Sequence, residues 1–477
     1  MSVLSSIIWS GLERFSTQGV QFIVGLILAR LLLPSDFGLI AILNFFFAIS
    51  QTVIESGFSN ALIQKQNRTD IDLNTAFFLN ISIAFFLYLI LWGIAPCLSA
   101  FYEMPNLDIY MRVYGISIII NSLPIVSKAL LTIKLDFRSQ LKASLLAALI
   151  SGGISIFLAY QDWGIWVLII QFILFSVVNA VLLCSSSKWF PKFDVSVASM
   201  KHLYLFGGNY LIASLLHTIY LNLHSLVIGK MYSPMNLGYY SRAEQLVNFP
   251  SANLGSVFSR VIYPILCSKQ DDRNTVLEIY SRSLRIISFI VFPLMIGFAI
   301  LAEPFISLFL TDRWLPSAIL LQLLCLAMMF DPINSLNIQL LYIKGRTDLA
   351  LKMEVVKKFV AIIILLFSLP FGLEAICIGR IFYSLIALYL NSYFNSKIYQ
   401  FKILGEILKL SPYLIASICM GGIVYICIQF LHYIALKLCV GVALGVFVYW
   451  SISKIFSFKA YNDAIQILNR TFTRIDF

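Results

Sequence analysis

Apolar stretches of about 18 to 25 residues follow one another along almost the whole chain, each long enough to cross a hydrocarbon core of about 30 Å as a helix. The pattern predicts about fourteen transmembrane helices, near 6–30, 38–62, 75–96, 109–130, 140–160, 164–184, 202–228, 237–262, 284–302, 317–341, 352–370, 374–395, 411–430 and 433–453. Connections are short, and none is long or polar enough for a soluble domain. The first segment lacks a basic start and an Ala-x-Ala-like cleavage site, and it runs on too long for a cleavable signal. The expected fold class is an all-α polytopic membrane protein.

Composition sharpens this. Hydrophobic residues are 60% of the chain and charged residues 12%, where a soluble domain carries about a quarter charged residues. Mean hydropathy is +0.88.

The charge that remains is asymmetric. With the N-terminus inside, the cytoplasmic connections hold Lys65 and Arg68; Lys128, Lys134, Arg138 and Lys142; Lys188, Lys192 and Lys201. They continue with Arg260, Lys269, Arg273, Arg282 and Arg285, then Lys344, Arg346, Lys352, Lys357 and Lys358, then Lys397, Lys402 and Lys409. The tail adds Lys454, Lys459, Arg470 and Arg474, making 26 in all, against Arg30, Lys230, Arg313 and Lys437 on the opposite side. The excess of Lys and Arg on cytoplasmic loops predicts both termini inside. It also accounts for the net charge of +11 without nucleic acid: the charge decorates a membrane face and favours anionic headgroups.

A repeat runs beneath this pattern. Arg30-x-x-x-Pro34-x-Asp36-Phe37-Gly38 returns as Lys230-x-x-x-Pro234-x-Asn236-Leu237-Gly238, and Pro96-x-x-Ser99-x-Phe101 as Pro304-x-x-Ser307-x-Phe309. Leu130-Leu131-x-Ile133-Lys134 returns as Leu340-Leu341-x-Ile343-Lys344. The echoes keep their order and nearly one offset, so the unit is six helices, and an even unit makes parallel repeats about an axis along the membrane normal. The predicted organisation is an N-lobe over 1–187, an interfacial linker over 188–201, a C-lobe over 202–397, two added helices over 398–457 and a cytoplasmic tail over 458–477. The linker's Lys188-Trp189-Phe190-Pro191-Lys192-Phe193 mixes cations with aromatics, as segments at a headgroup surface do.

Two parallel lobes imply alternating access to a cavity between them, with chemistry supplied by polar residues inside the spans. Ionisable groups at that depth are costly and face cavities or partners. The candidates are Arg14, Glu55, Arg242, Glu244, Asp331 and Arg380. Arg14 and Glu55 lie at similar depth in neighbouring helices, so mutual neutralisation stands beside a cavity role. Glu244 is two positions from Arg242, about 200° around the helix, and faces elsewhere. Asp331-Pro332 interrupts the tenth span, as a kink or as part of the cavity. Arg380 reads either as a cavity cation or as a side chain reaching the outer interface. Arginine suits a phosphate or pyrophosphate, because its planar guanidinium pairs two oxygens at once. The substrate-binding candidates are therefore Arg14, Arg242 and Arg380, with Glu55 and Asp331 for coupling or the cavity.

The eight cysteines show no metal-ligand spacing and read as small apolar packers. His217 and His224, seven apart, share a helix face, where packing competes with a proton-carrying role.

With these residues in view, the chain resembles the Wzx-type polysaccharide flippases of the multidrug/oligosaccharidyl-lipid/polysaccharide exporter superfamily. The branch is the one handling lipopolysaccharide, colanic-acid-like and teichuronic-acid-like repeat units. The second lobe carries most of the resemblance: Phe206-Gly207, Leu237-Gly238-Tyr239-Tyr240-Ser241-Arg242-Ala243, Pro250, Val261-Ile262-Tyr263-Pro264, Pro293 and Trp314. The first adds Ala29-Arg30-Leu31-Leu32, Pro34, Phe37-Gly38 and Glu55-Ser56-Gly57-Phe58. The resemblance implies fourteen helices, a central cationic cavity, and movement of an undecaprenyl-diphosphate-linked oligosaccharide across a bacterial cytoplasmic membrane. It places diphosphate contacts at Arg14 and Arg242, implies proton or sodium coupling, and calls for no cofactor and no metal. The expected partners are that lipid-linked oligosaccharide and membrane lipids, with the polysaccharide polymerase machinery as a further candidate.

Rival readings are a multidrug antiporter or a lipid II flippase of the same superfamily. The multidrug branch usually stops at twelve helices. A polytopic glycosyltransferase or polymerase would need catalytic clusters on sizeable outer loops, and the loops here are short.

Overall fold

The computed structural model describes residues 3–55, 62 and 67–462; the side chains of 3–14, 197–199, 201–210, 212, 213, 257 and 407 lie outside it. Among the described residues the only regular structure is helical. The helices are α1 (Val3–Leu31), α2 (Pro34–Glu55), α3 (Asp70–Tyr102), α4 (Leu107–Ser122), α5 (Ile125–Ile133), α6 (Phe137–Ala159), α7 (Trp166–Ser187), α8 (Val197–Met231) and α9 (Pro234–Cys267). They continue as α10 (Arg273–Ile300), α11 (Ala302–Phe309), α12 (Pro316–Met328), α13 (Asp331–Ile343), α14 (Thr347–Ser368), α15 (Leu373–Tyr399), α16 (Ile403–Leu408), α17 (Ser411–Gln429) and α18 (Ile434–Ile455).

Ten helices or helix pairs among the described residues are long and apolar enough to cross a membrane, so the protein is a multi-pass membrane protein. The other expected spans are helical as well, but more polar or shorter by that measure. α14, for example, carries Asp348, Lys352, Glu354, Lys357 and Lys358 within its first twelve residues. The tail from residue 463 onward lies outside the described residues.

By packing, the chain divides into two compact units, 1–241 and 242–477, with the division inside α9. This partition differs from the one read from the repeat: α8 and the first turns of α9 pack with the first unit.

In the first unit, α1 lies along α6, and α6 along α7. The close approach follows from a stripe of small residues on α6: Ala143, Ala147, Ser151, Ser155 and Ala159, all buried and four residues apart. Without a water-driven force between helices in lipid, such stripes let backbones come near enough for dispersion to hold them. A Cβ at Gly152 would stand 2.6 Å from a Val24 methyl, so any larger residue there would force Val24 or the two helices to shift. Val24, Leu28, Leu32, Val167 and Leu168 fill the space around it.

The repeat echo has a structural counterpart in this unit. α2 and α9 each begin at a proline and meet at the glycine four residues on. A Cβ on Gly38 would overlap the carbonyl oxygen of Pro234, and one on Gly238 the carbonyl oxygen of Pro34. Nearby, Lys230 at the end of α8 pairs with Glu103 beyond α3 at 2.9 Å and lies over the Phe101 ring.

The linker is irregular over 188–196, turning at Lys188 and again at Lys192–Asp194, before α8 begins at Val197, five residues earlier than the expected start at 202. Its backbone is fastened to the first turns of α3: Lys192 N–H donates to Asn74 Oδ1 at 3.0 Å and Ser196 N–H to Thr75 Oγ1 at 3.0 Å. Trp189 meets Phe77 edge-on, and Phe193 stacks on Phe78 with ring centres 4.7 Å apart.

In the second unit, α10 packs against α12, α13 and α17, and α15 against α12, α13 and α14. The two helices outside the repeat, α17 and α18, dock through Met420, Val424, Ile428 and Tyr449 onto Ile296 and Leu301. Asp272 caps α10 by accepting from the N–H groups of Asn274 and Thr275, and the Thr275 hydroxyl holds its carboxyl below the usual range.

Candidate functional site

The tenth span breaks in two, α12 and α13, separated by Met329 and Phe330 directly ahead of Asp331-Pro332. The interruption expected from the sequence is therefore present, and its physical cause is the missing proline N–H. The fourth span breaks in the same way between α4 and α5, next to Pro124.

The break places Asp331 at the first residue of α13, with an exposed side chain. The charged groups whose fields reach it are Arg380 on α15, Lys357 on α14 and Glu244 on α9. Arg380 donates from Nη1 to Glu244 Oε1, and both side chains are largely shielded, at 18% and 26% exposure. Lys357, buried, pairs with Glu354 one turn back on its own helix. Arg380 and Lys357 thus each hold a carboxylate, Glu244 and Glu354 respectively.

Arg380, expected either as a cavity cation or as a side chain reaching the outer interface, has its guanidinium bonded to a carboxylate 136 residues away in sequence. The pairing was invisible in the sequence. Arg242, two positions from Glu244, has a partner of its own: it donates from Nη1 to Gln245 Oε1 at 2.6 Å, one turn along. Arg242 is only 3% exposed. A guanidinium so shielded is strong in its effect on any anion that reaches it, because the local dielectric is low.

The other two candidates belong to the first unit. Glu55 is the last residue of α2, exposed, and accepts from Gln51 Nε2 at 2.7 Å. Arg14 lies on α1, but its side chain is outside the described residues, so its pairing with Glu55 is too. His224 stacks against Tyr240 with ring centres 6.4 Å apart.

Beyond Asp331, an amide ladder binds α13 to its neighbours. Asn391 donates to Asn334 Oδ1 at 2.8 Å and Asn395 to the backbone carbonyl of Asn337 at 2.9 Å. Tyr280 of α10 donates to Asn337 Oδ1, and Tyr399 to the Leu340 carbonyl at 3.1 Å. Such bonds between helices orient α13 and hence the carboxylate at its start. The spacing of these asparagines, 334/337 and 391/395, is the one sequence signal for the ladder, since residues three and four apart share a helix face.

Among the described residues, no three His, Cys, Asp or Glu side chains gather as a metal site would require. The arrangement offers a buried arginine on α9 and, two positions on, the Glu244–Arg380 ion pair with Asp331 at the bend. Those are the elements for binding an anion and for exchanging a cation or proton.

A family model described as "Polysaccharide biosynthesis protein" matches residues 27–319. The teichuronic acid biosynthesis protein TuaB of Bacillus subtilis (strain 168) is 25% identical over 358 residues, covering 73% of this chain and 72% of that protein. The succinoglycan biosynthesis transport protein ExoT of Rhizobium meliloti (strain 1021) is 24% identical over 313 residues, covering 66% and 63%. Among solved structures, the lipid II flippase MurJ in an inward closed conformation shares the fold, with a TM-score of 0.75 at 19% identity over 95% of this chain and 99% of that one.

Proposed function

Because the chain belongs to the polysaccharide biosynthesis protein family, we propose that it is a flippase for an undecaprenyl-diphosphate-linked oligosaccharide repeat unit, carrying it across the bacterial cytoplasmic membrane for surface polysaccharide assembly. The family match over residues 27–319 is the observation that carries the reading. Relatives named for teichuronic acid biosynthesis and succinoglycan transport support it, as does the multi-pass helical architecture. This is a transporter rather than an enzyme.

In this reading both termini are cytoplasmic, following the Lys/Arg asymmetry. Arg242 takes two oxygens of the diphosphate through its planar fork, and Arg14 supplies a second cation from α1. The Glu244–Arg380 pair with Asp331 forms the coupling element: protonating or neutralising one carboxylate changes which partner Arg380 prefers, and so the arrangement of α9 against α13 and α15. Proton and sodium gradients both fit such an element. Cargo delivered to the outer leaflet is what a polymerase consumes, which makes that machinery the expected partner.

Deleting the gene tests the reading. Lipid-linked repeat units should accumulate on the inner leaflet and the matching surface glycan should vanish. Normal surface glycan together with altered sensitivity to cationic drugs overturns it in favour of a drug exporter.

A further inference from the structure

Pro332 has no N–H, so the carbonyl four residues before it, that of Met328, loses its helical donor. A buried carbonyl left bare inside a membrane protein is costly, because no water is there to take its place. The missing donor comes from another helix: Ser251 of α9, 1% exposed, donates its hydroxyl to Met328 O at 3.0 Å. One turn along α9, Gly255 lies against the proline itself, an ideal Cβ there standing 3.6 Å from Pro332 Cα, an ordinary contact distance.

Helical geometry ties these two residues to the charged cluster. On an ideal helix Glu244, Ser251 and Gly255, seven and four residues apart, lie within about 20° of one stripe; Pro250 stands inside α9 between the first two. Arg242 is about 160° away from that stripe. One face of α9 thus grips the bend through Ser251 and Gly255 and reaches Arg380 through Glu244. The other face carries Arg242.

We infer that Ser251 and Gly255 are positioning residues that hold the bend at Asp331-Pro332 against α9, so that the helix bearing the anion-binding Arg242 also sets the placement of Asp331. This rests on the coupling role proposed for Asp331. It supplies the mechanical link that role requires: cargo engaging Arg242 shifts α9, and the shift reaches Asp331 through a hydroxyl bonded to the open carbonyl and a side-chain-free contact on the proline.

The test uses the full chain in proteoliposomes, following the flipping of a fluorescent polyprenyl-diphosphate disaccharide against internal pH. Ser251→Ala should move the pH profile by up to about one unit, the size that one lost hydrogen bond supports, while Ser251→Thr keeps the parent profile. In a Pro332→Ala background residue 332 regains its N–H, and Ser251→Ala should then change nothing further. Gly255→Leu, which thrusts bulk at the proline, should shift the profile as Ser251→Ala does, and Gly255→Ala should not. Asp331→Asn flattens the profile if the coupling role holds. A flat Asp331→Asn profile beside unchanged Ser251→Ala and Gly255→Leu profiles overturns the positioning role alone. An Asp331→Asn variant with the parent profile overturns the coupling role and the inference with it.

Discussion

Glu244 and Arg380 hold one another across 136 residues of sequence, joining α9 to α15 within the second unit. A shielded pair of this kind is sensitive to losing one member, since the survivor is left with a desolvated charge. Arg380→Ala and Glu244→Ala should each depress export strongly, and the double variant should recover part of it. A double-mutant cycle read from transport rates and protein levels should give a coupling of about 0.5–3 kcal/mol. Strict additivity would assign the two residues to separate tasks.

Arg242 makes a different demand. If its fork pairs a diphosphate, charge alone does not suffice: Arg242→Ala should abolish export and Arg242→Lys restore it in part. Losing a charge-assisted contact costs about 1.5–3 kcal/mol, or roughly ten- to a hundred-fold in apparent affinity. Immunoblotting of the same cells separates this from a packing role, which predicts loss of protein. Full export by a normally expressed Arg242→Ala variant removes the residue from the site.

The glycine crossing of α2 and α9 yields a stability prediction. Gly38→Ala and Gly238→Ala each drive a methyl into a backbone carbonyl that no side-chain rotation can clear. Each should lower stability by about 1–3 kcal/mol, the usual cost of overpacking. The double variant should cost less than the sum, because once the helices part both methyl groups have room. Thermal unfolding of the purified protein checks this.

Topology can be tested by thiol labelling. In a background with native cysteines replaced (Cys97, Cys419 and Cys439 are exposed), Gln161→Cys should react with an impermeant reagent added to intact cells, and Gln270→Cys should not. Gln161 is a better probe than its neighbour Asp162, whose φ of 57° disfavours a cysteine. Labelling at Gln270 would break the orientation drawn from the basic residues.

Much of the fold was legible because lipid leaves few options: an apolar stretch of spanning length has to be a helix. Spans, the break at Asp331-Pro332 and the echo of Pro34/Gly38 in Pro234/Gly238 could all be read from local pattern. The pairing of Glu244 with Arg380 could not, since helix periodicity fixes the face a residue occupies and says nothing of which distant helix meets it. The same limit hid Ser251. A serine in a helix interior is unremarkable until Pro332 is known to lie opposite it. The packing boundary inside α9 escaped for a related reason: repeated sequence records ancestry, whereas α8 packs with whichever helices its side chains fit.

The fastening of residues 188–196 to Asn74 and Thr75 has a consequence for engineering. The connection between the two sequence repeats looks like a natural seam for exchanging halves among relatives, yet its backbone donors are satisfied by side chains belonging to the first half. A hybrid joined at 187 inherits a strap cut to another protein's α3, and two main-chain N–H groups lose their acceptors unless Asn74 and Thr75 are matched on the other side. Joins placed after Ser196 keep strap and anchor together, so hybrids made there should accumulate in membranes where those cut at 187 do not.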